Sequence, residues 1–255
     1  MRRPFIAANW KMHKTIPEAL DFAARLLPLI PDSKDVDKLI APPFTSLMAL
    51  SDALNGSGVL VASQDVFYEP KGAYTGEISV SMVKDAGASV CIVGHSERRQ
   101  YFHETDDIVN RKVKATIAGG LGVVMCIGET LEERNAGKTF DVLKRQTSGG
   151  LAGITAGQMK DVVIAYEPVW AIGTGVNATP EQAQEAHAFI RSVVKELFPS
   201  GNVSGEVRIL YGGSVKPDNV DTLMSCPDVD GALVGGASLE PESFARLINF
   251  KRGSK

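Results

Sequence analysis

Glu167 stands immediately before Pro168. Proline disfavours helical backbone at the residue before it, which leaves this carboxylate extended at the end of an apolar run. A lone carboxylate facing a closing pocket has its pKa raised by lost hydration and becomes a stronger base. His95 follows another apolar run, in Gly94-His95-Ser96-Glu97, and an imidazole there can shuttle protons or donate to a carbonyl oxygen. Lys11, in Asn9-Trp10-Lys11, supplies fixed positive charge for negative charge developing on oxygen, with Asn9 as a neutral donor beside it. Gly173 lies beyond the run that ends at Glu167, and Ser214, Gly235 and Gly236 follow two further runs. Glycine lets backbone N–H groups approach an anion, and a helix N-terminus adds favourable partial charge. A base, electrophilic donors and a phosphate anchor describe proton abstraction next to a carbonyl on a phosphorylated substrate.

Other chemistries are less well supplied. Cys91 and Cys126 fall inside apolar runs, where buried thiols are expected, and Ser96 has no obvious base of its own. Of the four histidines, only His95 directly follows a run, so no metal site is expected. His187 sits within a helical pattern and His103 follows an aromatic pair, and solvated or capping roles are expected for both. The role of His13 stays open.

These residues are scattered over some 230 positions and need a scaffold that gathers them. Short, β-rich apolar runs recur at 5–10, 38–41, 58–63, 89–93, 122–127, 162–166, 207–211 and 232–234. Several are nearly continuous in apolar residues, as strands buried on both faces of a parallel sheet must be. Between them lie helix-start signals: Thr15-Ile16-Pro17-Glu18, Thr130-Leu131-Glu132-Glu133 and Thr179-Pro180-Glu181-Gln182 all fit a capping box. In the stretch 181–198, Ala183, Ala186, Ala188, Phe189, Val193, Val194 and Leu197 recur at a helical period suited to lying on a sheet. Alternating strand and helix implies right-handed βαβ units. Eight such units in 255 residues favour a closed (β/α)₈ TIM barrel over an open doubly wound sheet, for which no GxGxxG opens a first helix. All strand C-termini then meet on one face, where the polar strand ends would converge. No linker or composition break divides the chain, and one domain, 1–255, suffices.

Composition narrows the partners. Hydrophobic residues make up 44% and charged residues 22%, with a formal net charge of -3 and no long basic run, which argues against nucleic acid. The basic start Met1-Arg2-Arg3-Pro4-Phe5 runs into Asn9 and Lys11, which interrupt any apolar export core, and no stretch nears the length of a membrane span. Three cysteines without CxxC spacing suit a reducing compartment, so a cytoplasmic location is expected.

Several blocks then resemble the triosephosphate isomerase family. The most specific is Ala165-Tyr166-Glu167-Pro168-Val169-Trp170-Ala171-Ile172-Gly173-Thr174-Gly175. It is joined by Ala8-Asn9-Trp10-Lys11-Met12, Val93-Gly94-His95-Ser96-Glu97-Arg98-Arg99, Tyr211-Gly212-Gly213-Ser214-Val215 and Leu233-Val234-Gly235-Gly236-Ala237-Ser238-Leu239, in the family's order over nearly the whole chain. The resemblance implies interconversion of dihydroxyacetone phosphate and D-glyceraldehyde 3-phosphate through an enediolate, a step of glycolysis and gluconeogenesis. It implies Glu167 as the base and neutral His95 as the electrophile, roles for which the family is itself a standard case. Lys11 and Asn9 would hold the substrate, Gly173, Ser214, Gly235 and Gly236 would bind its phosphate, and Glu97 would support the site from behind. No cofactor and no metal are required. Residues 168–177 would form a lid that excludes water, another device the family exemplifies, and Val176-Asn177-Ala178 would be its second hinge. The long connection between Gln64 and Ser79 carries Gly72-Ala73-Tyr74-Thr75-Gly76-Glu77, which resembles the family's dimer loop, so a homodimer is expected. Two alternatives stand beside this reading: a metal-free barrel isomerase of a larger sugar phosphate, and a non-catalytic barrel binding phosphorylated metabolites. The second predicts loss of base or electrophile, yet Glu167, His95 and Lys11 are all present.

Overall fold

Apolar residues on both faces of each run are accounted for by eight parallel strands that close into a barrel in chain order. They are β1 (Phe5–Asn9), β2 (Asp37–Ala41), β3 (Val59–Ser63), β4 (Val90–Val93), β5 (Gly122–Ile127), β6 (Val162–Tyr166), β7 (Arg208–Tyr211) and β8 (Gly231–Val234). The computed structural model describes residues 2–31, 33–171 and 178–251. β1 pairs with β2 on one side and β8 on the other, which closes the sheet.

The period of two along each strand sorts its residues into two layers. Phe5 and Ala7, Leu39 and Ala41, Val90 and Ile92, Val124 and Cys126, and Val163 and Ala165 form one buried apolar cluster that fills the barrel. The residues between them, such as Ile6, Ile40, Cys91, Met125 and Ile164, join a second cluster with Phe22, Val109, Leu143, Ile190 and Phe244 from the surrounding helices. Each strand thus presents side chains to both layers, and its polar residues stand at its ends, as Asp37 and Lys38 do at the start of β2 and Asn9 at the end of β1.

The capping signals act as expected. The Thr130 N–H donates to the Glu133 carboxylate while the Glu133 N–H donates to the Thr130 hydroxyl, and Thr179 and Gln182 repeat the exchange. The Thr15 N–H likewise donates to Glu18 at the start of the helix Ile16–Leu26. Several strand boundaries differ from expectation by one residue, because the ladder ends where a partner strand ends and not where hydrophobicity does. Trp10 lies outside β1 although its N–H still donates to Ala41 O at 3.1 Å.

One expectation is overturned. His187 is neither solvated nor capping: it is fully buried in the helix Pro180–Leu197. Its neighbours on the buried stripe are Ala183, Ala186, Ile190, Val193 and Val194, and the helical period carries position 187 onto the same inner face. Its ring meets Tyr166 edge-on at 5.9 Å and lies 6.3 Å from Tyr211. Conversely, Leu197 at the end of that helix is exposed, and His103 and His13 are also at the surface. Among the described residues, no helix is long and apolar enough to cross a membrane.

Candidate active site

The end of β1 places Asn9 and Lys11 at the barrel mouth. Lys11 adopts a left-handed backbone, φ 51°, which costs a side-chain-bearing residue about 1 kcal/mol or more and needs outside support. That support is specific: the Lys11 N–H donates to Asn9 Oδ1 at 3.0 Å, and Gln64 Nε2 donates to both Lys11 O at 2.8 Å and Ala41 O at 2.9 Å. The ammonium then reaches across the mouth to Glu97 Oε1 at 2.6 Å.

β4 is followed by Gly94, whose φ of 69° turns the chain into the helix Ser96–Tyr101, and His95 is the N-cap. The Glu97 N–H donates to His95 Nδ1 at 3.2 Å. A ring nitrogen that accepts carries no proton, so the neutral ring holds its hydrogen on Nε2. That nitrogen faces Glu167 Oε1 at 2.8 Å. The other oxygen of Glu167 accepts from the Ser96 N–H at 2.9 Å, and the Ser96 hydroxyl lies 3.3 Å from Oε1.

Glu167 is only 2% exposed, but it is not the lone carboxylate expected from sequence. Burial pushes its pKa up, yet His95, the Ser96 N–H and Lys11 outweigh burial and hold it below the usual carboxylate range. This is a correction: lost hydration alone would have raised it. For His95, burial pulls the pKa down, while the Glu167 carboxylate and, more weakly, Glu97 raise it overall. The raising influence depends on the direct contact with Glu167 and weakens when anything separates the two groups.

Asn9, Lys11, His95, Glu167, Ser214, Gly235 and Gly236 line one cavity of about 520 Å³, together with Gly212, Gly213 and Lys216. Gly235 lies beside the Lys11 side chain, where a Cβ would be in ordinary contact with its Cε at 3.5 Å. Glu97 meets the cavity through its ion pair with Lys11. Gly173 and most of the expected lid and hinge lie outside the described residues. A larger cavity of about 780 Å³ opens on the far side of Glu167, bordered by Ser96, Gly128, Gln146 and Trp170. Among the described residues, no group of three or more His, Cys, Asp or Glu side chains is arranged to hold a metal ion.

The model of the family described as "Triosephosphate isomerase" matches residues 4–251. The chain belongs to the triosephosphate isomerase family. It is 58% identical over 251 residues to a triosephosphate isomerase of Geobacter metallireducens, covering 98% of this chain and all of the relative. It is 57% identical to one from Syntrophotalea carbinolica and 58% to one from Citrifermentans bemidjiense, in each case over 98% of this chain and 99% of the relative.

Sequence reasoning gave no role to three residues just beyond β3, β4 and β5. Gln64 was visible only as the start of a long connection, and Ser96 only as a serine without a base. Glu129 follows β5 and is fully buried, accepting from Trp170 Nε1 at 2.8 Å, Tyr166 Oη at 3.2 Å and Arg134 Nη1 at 3.3 Å on one oxygen. Its position directly beyond a strand was the available signal, since a carboxylate there is an unlikely turn residue.

Proposed function

We propose that the chain interconverts dihydroxyacetone phosphate and D-glyceraldehyde 3-phosphate by moving a proton between adjacent carbons through an enediolate. The observation that carries this reading is the 2.8 Å contact between His95 Nε2 and Glu167 Oε1 inside a small cavity that also holds the Lys11 ammonium. Glu167 takes a proton from the carbon beside the carbonyl and returns it to the neighbouring carbon. His95 donates from Nε2 to the substrate oxygens, and Lys11 and Asn9 bind and offset negative charge as it develops there. Substrate entering between imidazole and carboxylate separates Glu167 from His95, the largest of the influences that hold its pKa down, so binding itself makes the carboxylate a stronger base. The same separation takes away the largest influence raising the His95 pKa, and burial and the Glu97 N–H then favour the neutral ring against the weaker pull of the Glu97 carboxylate. Ser214, Gly235, Gly236 and Gly173 receive the phosphate, and Glu97 keeps Lys11 in place.

The reaction is one step of glycolysis and needs neither cofactor nor metal in this scheme. The whole chain works as one domain in the cytoplasm. The partner is a second copy, which meets the exposed segment 71–77 within the connection 64–79. Tyr74 in that segment is 45% exposed, and Met12, next to Lys11, is 93% exposed, which supports an apolar contact close to the mouth. Sedimentation at micromolar concentration should report twice the 27.2 kDa chain mass, and a single-chain mass contradicts the dimer. For the activity itself, an assay coupled to consumption of dihydroxyacetone phosphate should show rapid turnover of D-glyceraldehyde 3-phosphate. Turnover of pentose phosphates instead favours the larger-substrate alternative, and no turnover of either favours a binding protein.

A further inference from the structure

The helix Thr139–Gly150 buries a stripe of Val142, Leu143, Gln146, Thr147 and Gly150 against the barrel. An amide is an odd member of that stripe, because an apolar side chain would fill the space without polar atoms to satisfy. Gln146 is 5% exposed and directs both ends of its amide at one residue. The Gly128 N–H donates to Gln146 Oε1 at 2.8 Å, and Gln146 Nε2 donates back to Gly128 O at 3.3 Å. Gly128 is the first residue past the end of β5, where ladder partners run out.

Gly128 is also the residue on which the backbone of Glu167 rests. A Cβ on Gly128 would lie 1.7 Å from Glu167 O, so the two main chains are in direct contact and only glycine fits. The contact is bracketed on both sides: the Glu167 N–H donates to Ile127 O at 2.7 Å, and the Val169 N–H donates to Glu129 O at 3.1 Å. On its opposite side, Glu167 is confined by Gly212, where a Cβ would lie 2.9 Å from the Glu167 Cγ. The base is therefore held between two glycine backbones, and a side chain from the outer helix layer fixes one of them.

We infer that Gln146 is a positioning residue for the proposed base, setting the place of the Glu167 carboxylate through the Gly128 peptide. This rests on Glu167 being the base. Gln146 touches no substrate. Its influence is geometric, and proton transfer is steep in geometry: a misplacement of about 1 Å can cost on the order of 100-fold in rate. Substrate affinity, set by Lys11 and the phosphate loops across the mouth, is left nearly intact.

The test compares kcat, KM and melting temperature of the full-length protein with those of Q146M, Q146E and V142A. Q146M keeps the volume and loses both hydrogen bonds, and its kcat should fall by about 10-fold or more with KM changed less than about threefold. Q146E keeps an acceptor for the Gly128 N–H but offers a donor to Gly128 O only when protonated. Its kcat, relative to the parent's at each pH, should therefore rise as pH falls, and this trend is readable even where Q146M folds poorly. V142A removes bulk from the same stripe, and should lower the melting temperature with kcat unchanged. Parental kcat in Q146M, a Q146E ratio flat with pH, or a kcat loss in V142A equal to that in Q146M would each overturn the inference. An inactive parent would instead refute the proposed function, so the two failures are distinguishable.

Discussion

Tyr166 and Glu167 are consecutive, yet they open onto two buried polar regions of opposite character. Glu167 faces the barrel mouth, where it touches His95 and where Lys11 and Glu97 form an ion pair. Tyr166 faces the helix layer, where its ring meets His187 edge-on. Each region holds one imidazole almost entirely out of water, His95 at 5% exposure and His187 at 0%. Their pKa values nevertheless move in opposite directions. Burial pulls both down, but at the mouth the adjacent carboxylate reverses the sign for His95. His187 has a backbone oxygen, Asp228 O, 3.3 Å from Nδ1, and its pKa falls to about 4. Exposure alone therefore does not set the direction in which a buried imidazole shifts; a carboxylate in direct contact with the ring does.

The comparison breaks most visibly at the mouth. Glu167→Gln keeps the shape of the side chain and removes the proposed base, and should cut kcat by about 1000-fold while the melting temperature stays close to the parent's. Near-parental turnover would move the chemistry elsewhere. Lys11→Met removes the ammonium that pairs with Glu97 at 2.6 Å, and should cut kcat/KM by about 100- to 1000-fold. An effect confined to a few-fold in steady-state assays would show that charge compensation comes from another group.

In the helix layer the same kind of change should leave turnover alone and appear in stability. His187→Gln should keep kcat within about threefold of the parent. The folded His187 binds a proton only near pH 4, whereas the unfolded ring binds one at about pH 6.5. Acid therefore favours the unfolded chain: this contribution to stability is intact above about pH 6.5 and is lost as pH falls toward 4. Urea unfolding at pH 7.5 and pH 5 should show the parent losing about 2 kcal/mol more than the variant over that interval. Equal losses would mean that water or a polar partner already accommodates a charge beside His187.

Particular residues show how far the sequence was legible. β5 and β6 announced themselves because every position is apolar and both faces are covered, so their boundaries agree with the ladder. Glu167, His95 and Lys11 were legible because charged residues directly beyond strands have little other use. The contacts among them were not: Ser96 reaches Glu167 across 71 positions, and nothing local to either residue encodes that distance. The downward shift of the Glu167 pKa was hidden for the same reason. His187 was misread because its residue type suggested water, although its spacing from Ala183 and Ile190 already placed it on the buried stripe. Gln146 and Gln64 were silent, since an amide that serves another residue's backbone looks like any surface glutamine until the fold is known.

The most direct measurement follows hydrogen. Dihydroxyacetone phosphate is isomerised in D₂O by the parent and by Glu167→Gln, and the product is read by NMR. The parent should place deuterium at C2 of the glyceraldehyde 3-phosphate formed, because the proton held by a carboxylate exchanges with solvent, and the variant should lose both exchange and turnover together. Product with no deuterium at C2, or deuterium incorporated at the parent's rate by the variant, would contradict proton transfer through Glu167.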